Sequence, residues 1–216
     1  ENALKVAFDW KIRRNRAKGI DADVGTKILH FEKAFHGRSG YTLSLTNTLP
    51  DKVDYFPKFT DWPRISAPAV NFPCEGSSLE DVIQAEEQSL NAIDEAFACH
   101  GDDIAAILIE TIQCEGGDRH FRPEYLQALQ GRCEKYDCLF LLDEVQTGCG
   151  RTGEWFAYQH FGVTPDVMTL AKAVCGGIAG GALMATSEIA KSLRPGMDAA
   201  TFGCNPSPSR AGIRPE

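Results

Sequence analysis

The chain has 216 residues, 43% hydrophobic and 24% charged, with a formal net charge of −8. That balance describes a globular chain with a sizeable core rather than a disordered one, and an acidic chain without runs of Lys and Arg is a poor partner for a nucleic-acid backbone. No stretch approaches the roughly 20 apolar residues of a membrane span, and ENALKVAFDWKIRRN has no signal-peptide layout, so a cytosolic protein acting on small molecules is expected.

In chain order, the opening ENALKVAFDWKIRR sets Ala3, Leu4, Val6, Ala7 and Trp10 at helical spacing with no capping residue ahead of them. A short strand is expected at Ile28 to Phe31. From His36 to Gly76 the sequence is rich in Pro, Thr, Ser and aromatics and reads as a long irregular region, of the kind that often carries function. From Ser78, SSLEDVIQAEEQSLNAIDEAFACH joins a Ser and Glu start signal to Leu79, Val82, Ile83, Leu90, Ile93 and Phe97 at helical intervals.

Thereafter the pattern alternates: the apolar run IAAILIE (104–110), the Pro-started amphipathic helix PEYLQALQGRCEKY (123–136), and the apolar runs CLFLLDE (138–144) and DVMTLAK (166–172). Continuous apolar strands alternating with helices predict an α/β fold, a mostly parallel sheet with helices on both faces. The eight cysteines have neither a CxxC pair nor a zinc-ligand spacing, so no metal is expected and the thiols read as reduced and mostly buried.

In open α/β sheets ligands bind at the carboxyl ends of the strands, and the three apolar runs end on Glu110, on Asp143 with Glu144, and on Lys172. An Asp and a Lys delivered to one crevice suit pyridoxal 5′-phosphate, which needs a lysine for a Schiff base and a carboxylate to keep its ring nitrogen protonated. Taken alone, a Lys after a strand is more often a solvated surface residue. LFLLDE also reads as the magnesium-binding strand of a P-loop hydrolase, but no GxxxxGK[ST] loop accompanies it, and CGGIAGG follows the lysine and fits close backbone packing.

The segments AFHGRSGYTLSLTNT (34–48), ILIETIQCEGGDRHFRPEYL (107–126), LFLLDEVQTGCGRTGEWFAYQHFGVTPDVMTLAKAV (139–174) and TFGCNP (201–206) resemble, in order, the class III pyridoxal-phosphate-dependent aminotransferases. The resemblance implies the large domain of the fold type I transferases, with 1–206 its central part and 207–216 an irregular, atypical tail. It implies that Lys172 is the Schiff-base lysine and proton carrier, that Asp143 binds the ring nitrogen and Gln146 the ring hydroxyl, and that Phe35 stacks on the ring. Thr201 is implied to reach the cofactor phosphate of the neighbouring subunit in a homodimer.

For substrates, the same resemblance implies that Arg38 pairs with a carboxylate and that Glu110 and Glu115 lie nearby, Glu115 in relatives pairing with an arginine that would fall beyond this chain. The plainer readings are a core Phe35, a structural ion pair at Arg38, a turn-capping Gln146 and a turn hydroxyl at Thr201. FHGRSGYTLSLTNT, YFPKFTDWPRI (55–65) and EGGDRHFRPEYL are most similar to members that move the terminal amino group of lysine to 2-oxoglutarate, with 4-aminobutyrate and acetylornithine or ornithine as rival donors. The family's phosphate-binding turn and small C-terminal domain fall outside the sequence, so the chain reads as a fragment, and a catalytically silent remnant is the second reading. Thr111 stands where many relatives have Pro, and Cys114 where many have Gly.

Overall fold

The computed structural model describes residues 1–20, 23–191, 193–197, 200–201 and 203–213. Its centre is a six-stranded sheet built from β1 (Lys27–Phe31), β2 (Arg64–Ile65), β3 (Ile104–Glu110), β6 (Leu139–Asp143), β7 (Val167–Leu170) and β8 (Ala182–Ala185), in the order β2-β1-β3-β6-β7-β8. All neighbours are parallel except β7 and β8, which run antiparallel. A separate two-stranded hairpin joins β4 (Ile112–Gln113) to β5 (Arg119–His120).

The central strands β3 and β6 are buried along their whole length, as uninterrupted apolar strands of a sheet covered on both faces must be. On one face α4 (Ser77–His100) and α5 (Pro123–Tyr136) set Ile93, Phe97, Leu126 and Leu129 against Ile107, Ile109 and Phe140. On the other, α1 (Asn2–Ala17) and α6 (Ser187–Ala190) set Leu4, Val6 and Ile189 against Ala106, Leu108 and Leu141. Among the described residues no helix is long and apolar enough to cross a membrane.

Several expectations are corrected. The 36–76 stretch is not structureless: it holds α2 (Gly40–Leu45), α3 (Pro50–Val53) and β2, with Phe59 stacked on the buried Trp62 at 5.1 Å between ring centroids. The long helix starts at Ser77 after Gly76 without a side-chain cap, because the Ser78 hydroxyl donates instead to the Asn71 carbonyl at 3.0 Å. Residues 207–213 are not irregular but belong to α7 (Pro206–Ile213), where Pro leads the helix and the Asn205 side-chain oxygen accepts from the Ser207 amide at 3.0 Å, the roles these residues favour at a helix start. The cysteines are not mostly buried: Cys133, Cys138 and Cys175 are, whereas Cys99 and Cys204 are exposed.

One polar anchor ties α1 to the amino ends of the strands. Lys11 is fully buried and donates to Asp102 at 3.1 Å and to the Asp137 carbonyl at 2.8 Å. The Asp137 side chain, on the turn between α5 and β6, accepts from Arg14 at 2.6 Å and Lys18 at 2.7 Å. Partial burial opposes the charge on Asp137, but these two cations outweigh it and hold the carboxyl at about 2. A depressed carboxylate contributes stability above its unfolded value and loses it as pH falls through the folded one. The melting temperature should therefore fall as pH drops from about 4 to about 2; in Asp137→Asn, which tolerates the same left-handed backbone, that part of the acid dependence should be missing from thermal melts.

Candidate active site

The pairing register decides which side chains meet. Glu110 pairs with Asp143, and Asp143 with Thr169, so the ends of β3, β6 and β7 bring two carboxyls and a hydroxyl side by side at the carboxyl edge of the sheet. Lys172 follows two residues after β7, exposed, in a left-handed conformation with φ 50°. A cavity of about 150 Å³ opens here, lined by Phe35, His36, Glu110, Glu115, Asp143, Val145, Gln146 and Lys172, with Gly37.

Asp143 is held from three sides. One oxygen lies 2.8 Å from His36 Nδ1, and the other accepts from the Val145 amide at 3.0 Å and the Thr169 hydroxyl at 3.2 Å. Burial works against a charged imidazole at His36, but the hydrogen bond to Asp143 and the charges of Asp143 and Glu110 prevail and raise its pKa. Its Nε2 is buried without a hydrogen-bond partner. Burial pushes the Glu110 carboxyl up to about 7, only partly offset by His36 and by the Phe35 amide, which donates to it at 2.8 Å.

Lys172 Nζ donates to Gln146 Oε1, so the lysine spans from the β7 end to the loop after β6. That loop is fastened by Glu144, whose carboxylate accepts from the Tyr158 amide at 2.7 Å, the Ala157 amide at 3.1 Å and the Thr147 hydroxyl. Thr147 also meets the fully buried Thr111 at 3.0 Å, which gives the unusual Thr111 hydroxyl a partner. Glu144 thus builds the site's scaffold without lining it.

Six of the residues singled out in the sequence (Phe35, Glu110, Glu115, Asp143, Gln146 and Lys172) converge on one cavity; Arg38 and Thr201 do not line it. Arg38 is exposed on the rim and donates through Nε to the Lys52 carbonyl at 3.2 Å. Two residues escaped the sequence reading. His36 had a signal available, since a buried strand-end carboxylate needs a donor and FHGR offers one. Lys52, which pairs with Glu115 and sits 5.6 Å from the Phe35 ring centroid, had none, because only tertiary folding brings α3 over the hairpin.

The donor set fits pyridoxal phosphate: a carboxylate fixed at both oxygens, a flat apolar wall at Phe35, an amide at Gln146, and a primary amine across the same cavity. A model of the class-III aminotransferases matches residues 1–213. The chain belongs to that family. This class-III aminotransferase chain is 52% identical over 182 residues to the L-lysine-epsilon aminotransferase of Mycobacterium tuberculosis, covering 83% of this chain and 40% of that protein. Against the acetylornithine aminotransferase of Aquifex aeolicus the identity is 39% over 186 residues, covering 86% and 43%. Among solved structures, the lysine aminotransferase from M. tuberculosis in the internal aldimine form superposes with a TM-score of 0.86 at 45% identity, covering 94% of this chain and 46% of that one. The chain thus spans about 40% of the length of the curated relatives it matches.

Glu110 supplies a test of the site's electrostatics. A carboxyl raised from 4.5 to about 7 binds its proton more tightly folded than unfolded, so its contribution to stability is lost as pH rises across that interval. Thermal melts of Glu110→Gln, which still accepts from the Phe35 amide, should be flatter than wild type between those values. Equal slopes would show that Glu110 titrates normally.

The hairpin gives a second test. A Cβ on Gly116 would stand 2.1 Å from the Lys33 carbonyl oxygen, a backbone atom that cannot turn aside. Gly116→Ala should displace the turn carrying Glu115 and cost on the order of 1–3 kcal/mol, as overpacking typically does, measured by urea unfolding.

Proposed function

We propose that this chain is the cofactor-binding core of a pyridoxal-phosphate-dependent aminotransferase that takes the terminal amino group of L-lysine and passes it to 2-oxoglutarate, yielding 2-aminoadipate 6-semialdehyde and glutamate. The observation that carries this reading is the fixed Asp143 carboxylate sharing one cavity with Lys172. The lysine donor is favoured over acetylornithine by the higher identity to the lysine enzymes, 52% over 182 residues against 39% over 186 and 48% over a shorter 124 for two acetylornithine enzymes. Assembly as a homodimer, with Thr201 reaching a neighbouring subunit's site, and a cytoplasmic location complete the proposal.

Bound pyridoxal phosphate supplies an electron sink for the carbon that exchanges its proton. Asp143 would hold the ring nitrogen in its protonated form, since His36, Val145 and Thr169 keep the carboxylate oriented. Phe35 would cover one face of the ring and exclude water from it. Gln146 would hold the ring hydroxyl, releasing Lys172, whose amine would attach the cofactor and then carry the proton. Arg38 and Glu115 at the rim would meet the charged end of the amino acid, a carboxylate and an ammonium respectively.

Incubation with pyridoxal phosphate, borohydride reduction and peptide mapping should find the label on Lys172, and Lys172→Ala should carry none. Asp143→Asn should weaken cofactor retention about tenfold to a hundredfold, the worth of a charge-assisted hydrogen bond of about 1.5–3 kcal/mol. A label spread over surface lysines, unchanged in Lys172→Ala, would remove the basis of the proposal. With the cofactor in place, lysine should outperform acetylornithine as donor in single-turnover assays.

A further inference from the structure

Helix α5 ends in a Schellman turn: Asp137 takes the left-handed conformation, its amide donates to the Glu134 carbonyl at 3.4 Å, and the Cys138 amide donates back to the Cys133 carbonyl at 3.0 Å. This motif brings into contact the side chains at its two outer positions, three residues before the helix end and two after it. In most proteins that contact is between two apolar residues. Here both positions are cysteines, Cys133 and Cys138, which the turn sets side by side, with the Cys133 thiol donating to the Leu139 carbonyl at 3.7 Å. Both are buried within the helix-covered core, yet both line a cavity of about 190 Å³ shared with Trp10, Asp137 and Asp166. That volume exceeds the roughly 30 Å³ share of a water molecule several-fold, which leaves room for a small peroxide beside the two cysteines.

We propose that Cys133 and Cys138 form a dithiol modification site, which a small hydroperoxide converts into an intramolecular disulfide that locks the α5–β6 joint. One sulfur, as thiolate, breaks the O–O bond of hydrogen peroxide, becoming a sulfenic acid while hydroxide leaves. The second thiol displaces the sulfenic hydroxyl, which departs with that thiol's proton as water. The two sulfurs lose two electrons in all, the peroxide is reduced to two waters, and one S–S bond replaces two S–H bonds.

The geometry explains both the selectivity and the pace of this reaction. Cys133 and Cys138 share a single turn, whereas the exposed Cys99 and Cys204 would oxidise singly or between molecules. Burial raises the Cys133 thiol well above its ordinary value, so thiolate is scarce and the reaction should be slow and accelerate with pH. The closed ring would contain Asp137, the residue that holds Arg14 and Lys18 of α1. The same ring would fasten the start of β6, the strand whose other end presents Asp143.

The test uses the whole chain with Cys99 and Cys204 both changed to Ser, which removes the exposed thiols. After hydrogen peroxide, alkylation of the remaining thiols and non-reducing tryptic mapping, the peptides on either side of the cleavage after Lys135 should run as one linked species that reduction parts, with fragmentation placing the link on Cys138 and leaving Cys149, on the same peptide, alkylated. Thiol titration in denaturant should show a loss of two thiols, the loss should be faster at higher pH, and the oxidised form should melt at a higher temperature than the reduced one. Oxidation in urea should instead scatter the linkages among other cysteines. Separate Cys133 and Cys138 peptides, each alkylated or singly over-oxidised, or linkages equally scattered with and without urea, would overturn the proposal.

Discussion

Much of this structure answers to one electrostatic problem, two carboxyls set side by side in the interior by the register of β3 against β6. At the spacing of neighbouring strands, about 5 Å, two full negative charges would repel by about 3 kcal/mol even at an effective dielectric of about 20. The chain resolves this by treating the two groups differently. Asp143 is given His36, an amide and a hydroxyl, whereas burial dominates at Glu110 and raises it to about 7. Glu110 can therefore exchange its proton near neutrality beside a carboxyl at Asp143 that three donors hold in one orientation.

The opposite edge of the sheet solves a different problem. There the amino ends of the strands meet α1 and the end of α5, and the polar groups are gathered on Asp102 and Asp137. A fully buried Lys11 is costly to desolvate, and it is tolerable because its ammonium finds a carboxylate and a carbonyl. The result is a stiff base below the strands. Precision at the carboxyl edge depends on that base, since a strand free to slide would carry Glu110 and Asp143 away from His36 and Lys172.

What was legible in the sequence follows from range. IAAILIE and PEYLQALQGRCEKY were readable to the residue because both the signal and the structure are local: unbroken burial for the strand, and Pro at the start with a left-handed Asp137 at the end for the helix. The resemblance through DEVQTGCGRTG and PDVMTLAK carried most of the site, since those residues flank strand ends and their positions follow from the strands. β8 was not anticipated, because GALMATS has only the weak alternation of an edge strand half open to solvent. The short helices between 36 and 76 were missed for another reason. They are held by long-range contacts such as the Asn47 side chain on the Phe31 carbonyl at 3.0 Å and Arg64 on His30 at 3.1 Å, which no local pattern announces.

The same division explains how the site is distributed over the fold. Asp143 and Glu110 sit on strands, where pairing on both sides leaves them no freedom. Lys172 instead occupies a left-handed position at φ 50° that a residue with a side chain adopts at some cost. It is held there between the end of β7 and the turn of residues 172–175, with its amine on Gln146. In the proposed reaction Asp143 would hold a charge in one place, which a strand suits, and Lys172 would bond to one atom and then carry a proton to another, which asks for a longer reach. A lysine on a turn has that reach, and Gln146, on a loop fastened by Glu144, gives its amine a resting place.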